Sequence, residues 1–395
     1  MAVRRLTTLV VVAAVAAGLA ACQPSGDCGR VLTRDTTLRA DVVNCPGDGL
    51  VIGADGIEIR LAGHTVDGTE AVGSAGIRVA GHDGVVVRGP GLVRGFDDGV
   101  RVEGGTGNRV RDLTVTQNGV GIHLVGAHNG RVVANDVSSN ESGGSGPNRG
   151  VLLEDSDDNL LSGNTVFEDD FSCISLVRSH RNRIVGNAAN HADGTNIALA
   201  ASHDNEVVGN DATTSNGEGI TLAASRRNLV ADNRVGDASS AGIRLSGGGE
   251  NRVVRNVSLA DDTDGIDVVD SSSNLIEANE VTEAGVRGIG LRTSSGTSTG
   301  NRVRGNVVTD GRPFLRADGI VVAAGVVGTV VAGNTTNGNS DDGIDVDATG
   351  TTIRDNVADG NGDLGIEAVA GVVDGGGNRA SGNGNPAQCT GVVCS

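Results

Sequence analysis

Acids, arginines and three histidines gather between Asp169 and Arg287, in a chain otherwise dominated by Gly, Asn and small aliphatic residues. Paired carboxylates can hydrolyse a glycosidic bond as acid and base. Asp170, with Asp169 beside it, could pair with Glu218 or Asp193 across neighbouring repeats at the separation an inverting mechanism requires. Lyase chemistry would instead take a proton from the carbon next to a uronate carboxylate, with Arg244 or Arg287 as base and acids such as Asp267 holding a neutralising cation. An ordinary Arg is a poor base at neutral pH, so that role needs an unusual environment. His191, beside Asp193, and His123, facing out on an earlier repeat, are further acid or base candidates. In Asp-Thr-Asp-Gly-Ile-Asp, the carboxylates of Asp262, Asp264 and Asp267 offer hard oxygen ligands, so Ca²⁺ is the one cofactor they suggest. With no Trp or Tyr, a sugar face could stack only on Phe96, Phe167, Phe171 or Phe314, and of these Phe171 and Phe314 fall at the same corner as the acids. Glu218, Arg244 and Asp267 alternate in sign, however, as do Asp264 and Arg287, which is the pattern of a cross-strand salt-bridge ladder. Acids also precede Gly-Ile or Gly-Val elsewhere, at Asp97-Asp98 and Asp341-Asp342, where they serve turns.

What must position these residues is a repeat. A small or polar residue followed by Ile, Val or Leu recurs at Gly76, Gly99, Gly121, Gly150, Cys173, Asn196, Gly219 and onward to Gly365, with a step of 23 from Gly150 to Gly288. Two asparagine columns keep the same step, one from Asn159 to Asn274 and one from Asn164 to Asn279. Between them lie short apolar alternations bounded by turn formers, too short for helices. Each repeat is therefore two or three short strands joined by tight polar turns, with inward aliphatics stacking on their counterparts one coil away. Asn at a fixed turn position can adopt left-handed backbone geometry and hydrogen-bond to the Asn above and below. His180 and His203, also 23 apart, are expected to stack as turn residues. A left-handed β-helix would use an 18-residue coil, so the 23-residue step predicts a right-handed parallel β-helix. About fourteen coils at ~4.8 Å make a rod of roughly 65 to 70 Å.

Two longer loops interrupt this spacing, Ser138 to Arg149 and Thr309 to Asp318, and leave the same corner of the helix. They lie seven coils apart, ~34 Å by strand spacing, and could form the lips of a long groove over the Gly-Ile strands. A third insertion, Ser294 to Gly300, lies on the following turn.

The ends add a location. Arg4-Arg5, the apolar run from Leu6 to Ala17 and Leu19-Ala20-Ala21-Cys22 read as a signal peptide over 1–21, ending in a bacterial lipobox with Cys22 lipidated. The chain is thus expected to be exported and anchored to the outer face of the cell membrane. In that oxidising setting Cys28 pairs naturally with Cys45 and Cys389 with Cys394, leaving Cys173 as a buried thiol. Residues 22–49 are expected as an N-terminal cap, 50–385 as the β-helix and 386–395 as a closing tail. The formal charge of −18 disfavours nucleic acid and anionic headgroups as partners. Every one of the 31 basic residues is Arg, and Tyr and Trp are also missing.

On the Gly-Ile columns and Asn ladders over roughly residues 50 to 385, and on Cys45-Pro46-Gly47-Asp48-Gly49-Leu50 and Gly63-His64-Thr65-Val66-Asp67-Gly68, the chain resembles the parallel β-helix superfamily. That group includes pectate lyases, polygalacturonases, mannuronan epimerases and bacterial surface proteins. The resemblance implies a fold far more firmly than an activity. The chain has no Gly-His-Gly and no Arg-X-Lys of the polygalacturonase pattern, no Tyr for the epimerase motif and no Lys base. The leading expectation is a surface-anchored monomer that binds and processes an extracellular polysaccharide, in the manner of a polyuronate lyase or hydrolase. The alternative is a non-catalytic structural or adhesive rod that binds a protein partner. Fold analogy alone adds a third, an accessory in extracytoplasmic metalloenzyme maturation.

Overall fold

The computed structural model describes residues 23–140, 146–312 and 316–395. The expected signal peptide, Cys22 and Phe314 lie outside the described residues. The chain winds into fifteen rungs, where the spacing predicts about fourteen. Each rung adds one strand to each of three 15-stranded, all-parallel sheets. Sheet A begins at Arg30–Leu32 and ends at Ile366–Ala368, and it contains the Gly-Ile strands. Sheet B runs from Thr36–Thr37 to Val373–Asp374 and sheet C from Val42–Cys45 to Arg379–Ser381. Among the described residues no helix is long and apolar enough to cross a membrane.

Alternation within the strands, most of them three to six residues long, sends one or two side chains inward per sheet. In sheet A, Ile174, Ile197, Ile220, Ile243, Ile266 and Ile289 stack in register and are fully buried. Such stacking makes each rung's core a surface that only the next rung covers, so stability passes from neighbour to neighbour. The Gly before the inward Ile has a steric reason: a Cβ at Gly265 would sit 2.3 Å from Val281 Cγ1 and 2.9 Å from the carbonyl oxygen of Gly288.

The asparagine columns are buried ladders. Asn182 Oδ1 accepts both the backbone N–H and the side-chain amide of Asn159, at 2.9 and 3.1 Å, while its own amide donates to Asn205 Oδ1 and to the carbonyl of Ser156. The ladder Asn do not themselves take left-handed geometry. The preceding residue does, as at Asp158, Arg181, Asp204 and Arg227, all with φ between 54° and 61°. The division is physical, because the amide must face the interior to bond four groups while the exposed residue before it turns the chain.

Residues 30–45, within the segment expected as a cap, pair in parallel with the second rung and are themselves the first. The Cys28–Cys45 disulfide closes that rung, and Cys389–Cys394 ties the tail, whose Cys389 bridges to Ile366. Cys173 is free and buried. Both long loops connect sheet C to sheet A, so they do leave one corner, and Ser294–Gly300 lies at the next corner, between sheets A and B.

Candidate functional site

Sheet A presents three outward stretches along the rod, and they differ in how their charges are satisfied. The middle stretch contains most of the residues expected to act. Arg244 donates to Glu218 at 3.2 Å and lies 3.6 Å from Asp267, whose two oxygens are held by Arg292 at 3.0 and 2.8 Å. Arg287 clamps Asp264 through Nε and Nη2, and Arg312 pairs with Asp262 at 2.8 Å. The three acids suggested for Ca²⁺ therefore each meet a different guanidinium and do not converge. Asp267 and Asp264 are 3% and 1% exposed, so the ladder also covers them.

The remaining expected residues are spread around the corner between sheets C and A. Asp169 is 1% exposed and receives the N–H and the amide of Asn140, both at 3.1 Å. It occupies a third ladder, Asn118 to Asn140 to Asp169, which reappears as Asn339, Asn361 and Asn383. Asp170 accepts from Asn148 at 3.4 Å, Asp193 accepts from Asn216 at 3.0 Å, and His191 is an exposed turn residue with φ 62°. These three are not brought together with Glu218, Arg244 and Asp267.

The structure does build a polar site on the earlier rungs, where Gly146 to Arg149 join sheet A. Asp98, Arg101, His123, Pro147, Arg149 and Glu154 line a cavity of about 230 Å³. His123 lies between two carboxylates, Nδ1 3.1 Å from Asp98 and Nε2 3.2 Å from Glu154, and is 8% exposed. Asp98 also receives Arg101 Nη1 at 2.6 Å. Burial pushes the Asp98 carboxyl up, but His123 and Arg101 outweigh it and hold the group below its ordinary value. An ionised Asp98 can only accept, so His123 Nδ1 carries a proton and donates it. On the other side, Nε2 and the Glu154 carboxylate oxygen at 3.2 Å need one proton between them, and both residues line the cavity.

Arg149 completes the site from the end of the loop. Its guanidinium lies 4.9 Å from the centre of the Phe171 ring, and Nη1 donates to the Pro147 carbonyl at 3.2 Å. Its Nε is buried without a hydrogen-bond partner among the described residues, and no carboxylate pairs with it there. Desolvation lowers its pKa, only partly opposed by Glu154. A half-buried guanidinium with no carboxylate partner among the described residues, lining the same cavity as His123 and Glu154, is suited to meet an anionic group. The sequence signal was present but displaced. Asp98 and His123 are 25 residues apart and His123 and Glu154 are 31 apart, so neither pair falls on the 23-residue step.

The third stretch is acidic. Burial and mutual repulsion push Asp318 up to about 6 and Asp342 and Asp345 up to about 7. Among the described residues, oxygens of Asp341, Asp342 and Asp363 lie within 4.8 Å of one another. A carboxyl raised above its unfolded value of 3.8 penalises the folded state fully above pH 7 and not at all below about 4. Stability of these rungs should therefore rise as pH falls from 8 to 5. Thermal melts should show Asp345→Asn raising Tm at pH 8 and changing it little at pH 5, and an equal shift at both would contradict this origin.

The chain matches the family model described as periplasmic copper-binding protein (NosD) over residues 44–211 and 188–298, and the right handed beta helix region over 248–392. No curated protein matches its sequence. Among solved structures it is similar to the periplasmic alginate epimerase AlgG. A variant of that protein gives a TM-score of 0.54 at 13% identity, covering 71% of this chain and 75% of that one. The unsubstituted AlgG gives 0.53 over the same shares, and another variant 0.52 over 77% and 76%. At this identity the likeness is one of fold.

Copper is bound by thiolates, thioethers and imidazoles that converge. Here Cys173 is buried, with its thiol pKa pushed well up by desolvation, and the other described cysteines are in disulfides. His180 and His203 do stack, with ring centroids 4.9 Å apart and planes at 16°, so their donor atoms point side by side. Nδ1 of His128, His180 and His203 each accepts a backbone N–H from the next rung at 3.0 to 3.2 Å. In a neutral ring that leaves the proton on Nε2, with no lone pair for a metal. The described residues do not fit a copper centre.

Proposed function

We propose that this chain, which belongs to the NosD family of β-helix proteins, binds a carboxylate-bearing extracellular polysaccharide across sheet A and acts on it in the cavity around His123. The observation that carries this reading is the proton-sharing pair His123 and Glu154 facing the same cavity as the unpaired guanidinium of Arg149. Arg149 pairs with a uronate carboxylate, and neutralising that group acidifies the neighbouring C–H bond. His123, which lines the cavity with Nε2 beside Glu154, takes the hydrogen. Asp98 fixes the ring by accepting from Nδ1 and stabilises the imidazolium that forms. The C–H electron pair moves into the carboxylate. Return of the proton from His123 regenerates the substrate, whereas delivery of a proton from solvent to the opposite face, with His123 losing its own to solvent, gives the epimer. Expelling the glycosidic oxygen from the next carbon gives an unsaturated end, with the proton passing to the leaving oxygen. Phe171, half exposed beside Arg149, offers its ring to a sugar. The similarity to an enzyme named for alginate, a polyuronate, supports the ligand class. Export and a lipid tether at Cys22, as the N-terminal residues suggest, belong to the same reading.

The test is incubation with polyuronates in deuterated buffer. Deuterium at carbon or an unsaturated ultraviolet-absorbing product is expected. Absence of both, together with absence of binding on a glycan array, would sink the proposal.

A further inference from the structure

Sheet B differs from the rest of this acidic molecule. Its strands contain ten arginines and four acids, although the chain as a whole has 49 acids and 31 basic residues. Most of those arginines have partners, such as Arg60 with Glu58, Arg183 with Glu206 and Arg304 with Glu277. Arg109 and Arg131 do not pair with any acid among the described residues, and the sheet register sets them directly side by side on adjacent rungs. Both are exposed. Like charges at the ~4.8 Å strand spacing repel, so the fold accepts an unfavourable contact there that a bound anion would relieve. Together with Glu58, Val86, Arg111 and Val133 they line an open depression of about 440 Å³.

We infer that this depression is a second docking site for the anionic polysaccharide, separate from the His123 cavity; the choice of a carboxylated polymer rests on the function proposed above. Three observations support the assignment. Planar guanidinium groups match carboxylates in shape and hydrogen bonding. A column of such groups along the rod suits a ligand whose charge recurs from unit to unit. The depression also lies on the rungs of the cavity: Arg109 follows Arg101 and Arg131 follows His123, each one corner further along the chain. A single polymer can therefore reach both. A thin chain stays within a Debye length, about 8 Å at physiological ionic strength, of the arginines alone. A planar anionic bilayer would face the charge of −18 on the whole molecule, which disfavours it.

The experiment measures binding of full-length protein to long polygalacturonate and to its short oligomers, for native protein and the double variant Arg109→Ser, Arg131→Ser. Arg302→Ser, on the same sheet but far from the depression, is the control, and thermal melts confirm folding. Two-site attachment raises affinity for long chains by about 100-fold or more. The double variant should lose that gain and part of the salt dependence while keeping oligomer affinity and turnover, and the control should lose neither. Native-like binding of the long polymer by the double variant would overturn the inference, as would arginine-dependent binding to anionic phosphatidylglycerol vesicles without polymer binding. Failure of the catalytic reading would appear differently, as absent turnover with arginine-dependent polymer binding intact. Should the double variant fold poorly, Val86→Glu places a negative charge in the same depression and should weaken long-chain binding alone.

Discussion

Replacing His123 by Gln is expected to slow deuterium exchange or elimination on a polyuronate by about 10²- to 10⁴-fold, the range a positioned acid or base supplies. Gln preserves much of the ring's bulk between Asp98 and Glu154, and its amide can still donate, so binding should change far less than turnover. The variants around it separate the roles. Glu154→Gln removes the carboxylate that shares the Nε2 proton and should shift the pH profile as well as lower the rate. Arg149→Gln removes the cation that meets the substrate carboxylate and should raise KM as well as lower kcat. Asp267→Ala, which disturbs the Arg244 and Arg292 ladder some rungs away, should affect stability and leave the rate unchanged. Equal losses in His123→Gln and Asp267→Ala would mean that the rod, and not the cavity, carries the activity.

The contrast between these two residues shows which parts of the molecule are legible in a repeat. Asp267 lies on the 23-residue step, one rung after Arg244 and between two arginines, and the alternating charges were readable as the ladder they form. His180 and His203 were readable in the same way. The 23-residue step also located the asparagine columns and the corner from which both loops depart. His123 was legible as an outward acid or base candidate but its partners were not, because the inserted residues before Arg149 lengthen the sequence distance to Glu154 beyond the repeat step. Asp98 looked like one more acid before a Gly, and Arg149 like the end of a loop. Their meaning depends on tertiary facts, namely that Nε of Arg149 is buried and that two carboxylates approach opposite sides of one ring. Asp169 shows the converse. Its charge marked it for function, whereas its place below Asn118 and Asn140 makes it the acceptor at the end of a ladder.

The ladders carry the largest expected effect on stability, and Asn205 near the middle of the rod measures it. Its Oδ1 accepts the N–H and the amide of Asn182 at 2.8 and 3.2 Å, and its Nδ2 donates to Ser179 O and Asn228 Oδ1 at 3.0 and 3.1 Å. The residue is 1% exposed, so water cannot replace what is lost. Asn205→Ala strands the Asn182 N–H and the Ser179 carbonyl oxygen, at about 1 to 3 kcal/mol each, and a total of about 2 to 6 kcal/mol is expected. That is a large share of the ~5 to 15 kcal/mol by which folded domains are stable. Because rungs support only their neighbours, the damage should also divide the rod. Denaturant unfolding followed by circular dichroism should broaden or split into two transitions, one for each side of the defect. Arg227→Ala is the matched control, since it removes an exposed ion pair with Asp204 one residue before the same ladder and should cost no more than about 1 kcal/mol. If the two variants proved equally stable, the asparagine columns would be ornaments of the turn; if Asn205→Ala alone splits the transition, each buried amide couples one rung to the next.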